Sequence, residues 1–184
     1  MGTDKGLLIK AKEITWAQYC FSLLAKFEIP VVISVNNTQY NQYKRIFPLQ
    51  DMIMDNDAFD VHGPLLGLLS VHLKYPANDI FILACDMVEM NAIALGYLYN
   101  HYLQYNKKKT CVFTHKNSPE PLCSIYTAKD LEKIYWLQQQ GFLQKHSLKY
   151  CLENLDINFI DIPFEWEKYF KNFNTPLSVK DASW

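Results

Sequence analysis

The chain has 184 residues, 49% of them hydrophobic and 15% aromatic, with a formal net charge of −1. That is enough for one domain, 1–184, with a substantial core, and the near-neutral balance without a long basic run excludes nucleic acid and an anionic membrane surface as partners. The N-terminus shows no signal peptide, no apolar run approaches a membrane span, and Cys20, Cys85, Cys111, Cys123 and Cys151 are scattered without CxxC or zinc-like spacing, so buried free thiols in a cytoplasmic protein are expected.

Residues 1–8 read as a loop. Thr15 predicts the cap of a helix whose apolar residues, Trp16, Tyr19, Cys20, Leu23, Leu24 and Phe27, recur at helical spacing. A β-branched strand over 31–35 ends at Asn36, followed by a short helix over 38–44 and a weak strand over 52–54. Residues 55–60 are acidic and turn-like. Gly63-Pro64-Leu65-Leu66-Gly67 opens a helix that runs to Pro76, with Pro64 suited to its first turn.

The run Ile80-Phe81-Ile82-Leu83-Ala84 has no polar alternation, which predicts a strand covered on both faces in a parallel sheet. A helix over 90–103 is expected to bury Ile93, Ala94, Tyr97 and Leu98. Lys107, Lys108 and Lys109 form a charged turn, and strands are expected over 110–114 and 122–126. Thr127 to Asp130 resembles a capping box for a helix ending near Gln140, with Gly141 as its C-terminal cap. Ser147 starts a short helix, residues 158–162 form a last strand, and Asn172 to Pro176 a last turn. This alternation predicts a three-layer αβα sandwich with a mostly parallel, Rossmann-like sheet.

Chemistry is expected at the carboxyl ends of such strands. Asp86 ends the central strand, and a single carboxylate there suits Mg2+ that keeps most of its water; the competing reading is a plain helix cap. Lys5 supplies a cation, Asn36 an amide able to read a base or ribose edge, and Gly63 to Gly67 free backbone N–H groups and close approach. No GxGxxG, GxxxxGK[ST] or GxSxG is present, against dinucleotide oxidoreductases, P-loop proteins and Ser-His-Asp hydrolases.

Six segments in order carry a resemblance: Met1-Gly2-Thr3-Asp4-Lys5-Gly6-Leu7-Leu8, Val32-Ile33-Ser34-Val35-Asn36, Gly63-Pro64-Leu65-Leu66-Gly67, Leu83-Ala84-Cys85-Asp86-Met87, Glu120-Pro121-Leu122 and Asn172-Phe173-Asn174-Thr175-Pro176. Together they resemble the MobA-type molybdenum cofactor guanylyltransferases of the nucleotidyltransferase superfamily. The resemblance implies transfer of GMP from GTP to molybdopterin with release of pyrophosphate. It also implies a nucleotide-diphospho-sugar transferase fold. By that likeness Asp86 holds Mg2+, Lys5 offsets triphosphate charge, and Asn36, Asp55, Gly63, Pro64, Leu65 and Gly67 form the guanine and ribose pocket. Asn172 and Asn174 line the pterin or metal side of the cleft, and cofactor-delivery proteins are the implied partners. Asp51, Asp57 and Asp60 compete with Asp55. The alternatives are a non-catalytic nucleotide- or cofactor-binding homologue, or a related cytidylyl- or sugar-phosphate nucleotidyltransferase.

The chain departs from that family at its start. Family members open with a buried strand and a glycine-rich loop of the kind L-A-G-G-x-S-x-R, and Met1 stands at the next position. The expectations are an internal start codon, a fold that closes the gap in a weak enzyme, or a strand supplied by a partner. Little guanylyltransferase activity is expected of the polypeptide as it stands, and turnover near that of an intact homologue would refute this.

Overall fold

The computed structural model describes residues 4–105 and 107–171. A 3-10 turn, Lys5–Leu7, leads into a small antiparallel hairpin of β1 (Ile9–Ala11) and β2 (Ile14–Thr15). Lys12 and Glu13 turn it with φ of 48° and 66°, the left-handed pair a two-residue hairpin needs. Neither residue is a usual turn former, and no hairpin was expected from the sequence here.

α1 (Trp16–Ala25) starts as expected. The Thr15 hydroxyl accepts from the Gln18 N–H, and the Gln18 side chain accepts from the Thr15 N–H. Its buried face is Trp16, Ala17, Cys20 and Leu23. β3 is shorter than expected, Ile33–Val35, and pairs in parallel with β4 (Met52–Met54); α2 (Asn37–Tyr43) lies between them in sequence.

α3 (Pro64–Lys74) opens with Pro64 in its first turn and leads to β5 (Ile80–Leu83). α4 (Ala92–Gln104) is capped by Asn91 and buries Ala94, Leu95, Leu98 and Tyr102. Ala94 and Leu98 are buried as expected, but Ile93 is 72% exposed and Tyr97 38%, so the buried stripe is turned toward Leu95 and Tyr102. With apolar residues all around this helix, periodicity could not say which stripe meets the sheet.

β6 (Thr110–His115) and the long β7 (Ser118–Tyr126) form a hairpin, and α5 (Ala128–Gln139), α6 (Leu148–Leu152) and β8 (Ile157–Asp161) follow. A 3-10 segment, Phe164–Phe170, closes the described chain. The turn expected at Asn172 to Pro176 lies outside the described residues. Thr127 caps α5, but Asp130 does not complete the box: its carboxylate accepts from the buried Thr110 hydroxyl at 2.6 Å. Gly141 takes φ 69° just beyond the helix, as expected of a C-terminal cap.

The larger sheet has the order β5-β7-β6-β8, with β5 and β6 antiparallel to β7 and β8 parallel to β6. The sheet is therefore mixed, and β5 pairs antiparallel where a parallel neighbour was expected. Its apolar run reports cover on both faces, which is indifferent to strand direction. On one face Phe81 and Leu83 pack with Leu23, Leu95, Leu98 and Ile125, between the sheet and α1 and α4. On the other, Ile80 and Ile82 pack with Leu65, Leu68, Leu131, Ile134 and Leu152 of α3, α5 and α6. This is the expected three-layer arrangement. β3 and β4 form a separate two-stranded sheet that shares no hydrogen-bonded pairing with β5. No helix among the described residues is long and apolar enough to cross a membrane, and all five cysteines are free, four of them buried.

Candidate functional site

Val35, ending β3, and Cys85, just after β5, pack in one cluster with Tyr43, Phe47 and Met52. The carboxyl ends of the two strands therefore meet, and the polar groups that follow them share one mouth. Asp86 sits in the turn after β5. Lys5 reaches it from the N-terminal 3-10 turn, with Nζ 3.0 Å from Oδ2 and both side chains roughly three-quarters buried, at 27% and 21% exposure.

The turn bearing Lys5 is held by its neighbour. Asp4 Oδ1 accepts from the Gly6 N–H at 2.9 Å and from the Tyr43 hydroxyl at 3.0 Å, and Oδ2 accepts from Gln39 Nε2 at 2.7 Å. A Cβ on Gly6 would lie 2.1 Å from the Tyr43 hydroxyl oxygen, so this position has no room for a side chain. The turn after β5 is pinned as well. Lys10 Nζ donates to the Val88 carbonyl and stands 4.3 Å from the Tyr19 ring centroid, while the Tyr19 hydroxyl donates to the Met90 carbonyl at 2.7 Å. The unforeseen hairpin thus fixes the loop that carries Asp86.

A cavity of about 330 Å³ opens at this mouth. Its polar lining is Ser34, Gln39, Tyr43, Asp55, Gly63, Gly67 and Cys85. Asp55 follows β4, its N–H donates to the Val35 carbonyl at 2.8 Å, and its Oδ1 accepts from the Ser34 hydroxyl at 2.5 Å. Burial pushes the Asp55 carboxyl above its ordinary value, with the Ser34 hydrogen bond opposing. A Cβ on Gly67 would come 2.7 Å from Ser34 Oγ and 3.5 Å from Asp55 Oδ1, so glycine is what lets α3 approach these two groups. Gly63 has φ 65°, with open space where a Cβ would stand. Burial, with the Asp86 charge second, pushes the Cys85 thiol up to about 12, which removes it as a nucleophile near neutral pH.

The structure brings Asp55, Gly63, Pro64 and Gly67 into one cavity wall and sets Lys5 against Asp86, the residue after the lining residue Cys85. Leu65 differs: it is fully buried, packed with Phe59, Val61 and Leu69, so only its backbone is available to a ligand. Asn36 is exposed, and its side-chain oxygen caps α2 by accepting from the Thr38 and Gln39 N–H groups at 3.0 Å. Only its amide NH2 remains for a base or ribose. Asn172 and Asn174 lie outside the described residues. Sequence reasoning missed Ser34 and Gln39 as cavity groups and Asp4 as the anchor of Lys5. Ser34 carried a signal, the one polar residue in a β-branched strand; Gln39 and Asp4 carried none.

No group of three or more His, Cys, Asp or Glu side chains able to hold a metal occurs among the described residues. A lone carboxylate beside a lysine fits a magnesium ion that takes its other ligands from water and phosphate oxygens, and does not fit a closed all-protein metal cage.

Layers, strand order and a polar mouth at the carboxyl ends of β3, β4 and β5 define an α/β domain of the nucleotidyltransferase type. A family model described as a MobA-like NTP transferase domain matches residues 1–154. The chain belongs to that family. It is 30% identical over 137 residues to a probable molybdenum cofactor guanylyltransferase of Geobacillus sp. (strain WCH70), a match covering 72% of this chain and 66% of the relative. It is 30% identical over 142 residues to a molybdenum cofactor biosynthesis bifunctional protein of Synechocystis sp., covering 77% of this chain and 39% of the relative. The chain thus spans less than two thirds of the length of both relatives. Among solved structures, molybdopterin-guanine dinucleotide biosynthesis protein A from Archaeoglobus fulgidus matches with a TM-score of 0.75 at 18% identity, over 98% of this chain and 89% of that one. A cytidylyltransferase from Leptospira borgpetersenii matches with a TM-score of 0.61 at 18% identity, over 88% and 69%. At these identities the likeness shows the fold.

Proposed function

We propose that this chain transfers GMP from GTP to the terminal phosphate of molybdopterin. An acceptor phosphate oxygen forms a bond to the α-phosphorus of GTP, the α–β phosphoanhydride bond breaks, and pyrophosphate leaves. Such a transfer needs in-line positioning and neutralised phosphate charge more than a protein nucleophile, and the thiol nearest the site, Cys85, is held protonated by burial.

One observation carries the reading: a cation and a carboxylate, Lys5 and Asp86, pair directly after Cys85, a lining residue of the cavity whose wall includes Asp55, Gly63, Pro64 and Gly67. Asp55 accepts from guanine N1–H and N2–H together, a pattern adenine lacks. Gly63 and Gly67 admit the nucleotide against the first turn of α3, where backbone N–H groups have no helical partner. Lys5 offsets triphosphate charge, and Asp4 holds Lys5 in place. Asp86 is the residue that would hold Mg2+, which when bound supplies charge stabilisation on the phosphate oxygens. Asn36 offers its NH2 group to the ribose side. Asn172 and Asn174 are assigned to the pterin side of the cleft by resemblance alone. Cytoplasmic residence, with its reduced thiols, and acceptance of molybdopterin from a delivery protein belong to the same proposal.

Thermal unfolding with Mg·GTP and Mg·CTP tests this. A ligand at a hundredfold its dissociation constant stabilises by about 2.7 kcal/mol, expected here for GTP and absent for CTP. Equal shifts would overturn the guanine assignment, and no shift with either the nucleotide assignment. GTP binding without molybdopterin-dependent pyrophosphate release would instead establish a non-catalytic binder.

A further inference from the structure

The backbone is anchored on both sides of the Asp55 Cα. The Asp55 N–H donates to the Val35 carbonyl at 2.8 Å, which ties the residue to the end of β3. The next N–H, that of Asn56, lies beyond β4, which ends at Met54. It donates to the Ser70 hydroxyl of α3 at 2.8 Å. That hydroxyl donates in turn to the Leu66 carbonyl one turn back, at 2.7 Å. Its proton is thereby committed to the helix, and its lone pairs are left to Asn56.

Ser70 is 5% exposed and does not line the cavity. Its neighbours Leu68, Leu69 and Val71 are buried and apolar, so a hydroxyl among them is costly unless it is hydrogen-bonded. Ser70 also stands three residues after Gly67, on the same face of α3. Gly67 is where α3 approaches the Asp55 carboxylate, and Ser70 is where it meets the backbone that follows Asp55. Bonds further along do not replace this anchor. Asn56 accepts from the Ala58 N–H through Oδ1 and from the Phe59 N–H through its carbonyl, both at 3.1 Å, and Asn37 Nδ2 donates to Asp57 Oδ2 at 2.8 Å. None of these involves the peptide that joins Asp55 to Asn56.

We propose that Ser70 is a positioning residue that determines base specificity: by fixing the peptide after Asp55 to α3, it aims the carboxylate at the guanine edge without touching the nucleotide. The inference rests on the reading of Asp55 as the acceptor for guanine N1–H and N2–H. Two parallel hydrogen bonds weaken steeply when misaligned. The Ser34 hydroxyl holds only Oδ1, and a carboxylate held at one atom can still turn about it. The Val35 carbonyl, the Ser34 hydroxyl and the Ser70 hydroxyl together fix the N–H before the Asp55 Cα, the side chain and the N–H after it.

The test is calorimetric titration of GTP and ATP, each with Mg2+, on the full chain and its variants. The wild-type chain should prefer GTP by at least about tenfold, the lower end for a hydrogen bond to a charged group. Ser70→Ala should lose most of that preference through weaker GTP binding, with ATP affinity unchanged. Ser70→Thr, which keeps the hydroxyl, should retain it. In an Asp55→Asn chain, Ser70→Ala should not move the GTP/ATP ratio further, because its route to the base runs through that carboxylate. Amide hydrogen exchange reads the anchor directly: the Asn56 amide should lose its protection in Ser70→Ala while the amides of β6 and β7 keep theirs, which also shows that the variant folds. A wild-type ratio in Ser70→Ala overturns the proposal, as does a loss shared equally by GTP and ATP, the mark of a purely structural role. Equal loss in Ser70→Thr, or a further fall in the double variant, overturns it too. A wild-type chain that does not discriminate GTP from ATP overturns the reading of Asp55 and this inference with it; a discriminating wild type beside an unaltered Ser70→Ala overturns this inference alone.

Discussion

Lys5 Nζ stands 3.0 Å from Asp86 Oδ2, joining the N-terminal 3-10 turn to the loop after β5 across 81 positions of sequence. The pair follows directly on the cavity-lining residue Cys85. It bears on function more than on stability, because a partly exposed ion pair contributes only about 0–1 kcal/mol. Asp86→Ala should lower the melting free energy by no more than about 1 kcal/mol and remove the magnesium-dependent part of the GTP shift. Lys5→Ala should weaken GTP much more than guanosine, since guanosine has no phosphate to neutralise. Comparable losses of stability and ligand binding in Asp86→Ala would mark Asp86 as a structural cap.

Asp55 separates recognition of the base from the chemistry of the phosphates. Asp55→Asn keeps the size but turns one acceptor into a donor facing guanine, and should weaken GTP by about 1.5–3 kcal/mol, the range for a hydrogen bond to a charged group. Calorimetric titration with GTP and ATP measures it, and an unchanged preference would clear Asp55 of base reading.

The same residue sets a pH dependence. Burial raises the folded carboxyl above its unfolded value. Its contribution to stability is present below the unfolded value and lost as pH rises through the folded one. Affinity for GTP moves oppositely, rising over the same window as the carboxylate forms. Asp55→Asn should flatten both trends; denaturant midpoints and GTP titrations at matched pH values, just above the ordinary carboxyl range, read them.

Gly6 and Tyr43 form a tight contact that positions Lys5. Gly6→Ala puts a Cβ 2.1 Å from the Tyr43 hydroxyl oxygen, and the ring, 3% exposed, has no space to move aside. A loss of about 1–3 kcal/mol is expected, as for overpacking elsewhere. Tyr43→Phe in the same chain removes the clashing oxygen and should recover part of it. A double variant no more stable than Gly6→Ala would show that the strain lies in the backbone. Urea unfolding of the four proteins in the cycle reports the coupling.

Asp79 ties two helices to the start of β5. Its Oδ1 accepts from the Ala128 N–H at 2.6 Å, at the first turn of α5, and its Oδ2 accepts from the Tyr102 hydroxyl of α4. Asp79→Ala leaves both donors unpaired and should cost about 1–3 kcal/mol, with ligand affinities unchanged, as urea unfolding and GTP titration would show.

Local chemistry was legible from sequence, because it is written within one or two turns of chain. Thr15, Pro64, Thr127, Gly141 and Ser147 each mark a helix end by their own hydrogen bonding or dihedral preference, and the run from Ile80 to Leu83 announces burial on both faces. The family could be read from ordered motifs for the same reason. The tertiary structure alone decided which way β5 pairs, which stripe of α4 faces the sheet, that Leu65 belongs to the core, and that Asp4 anchors Lys5 through Gln39 and Tyr43. These are relations between segments distant along the chain, and the free energy that settles them comes from packing and hydrogen bonding between those segments, which no short window of residues contains.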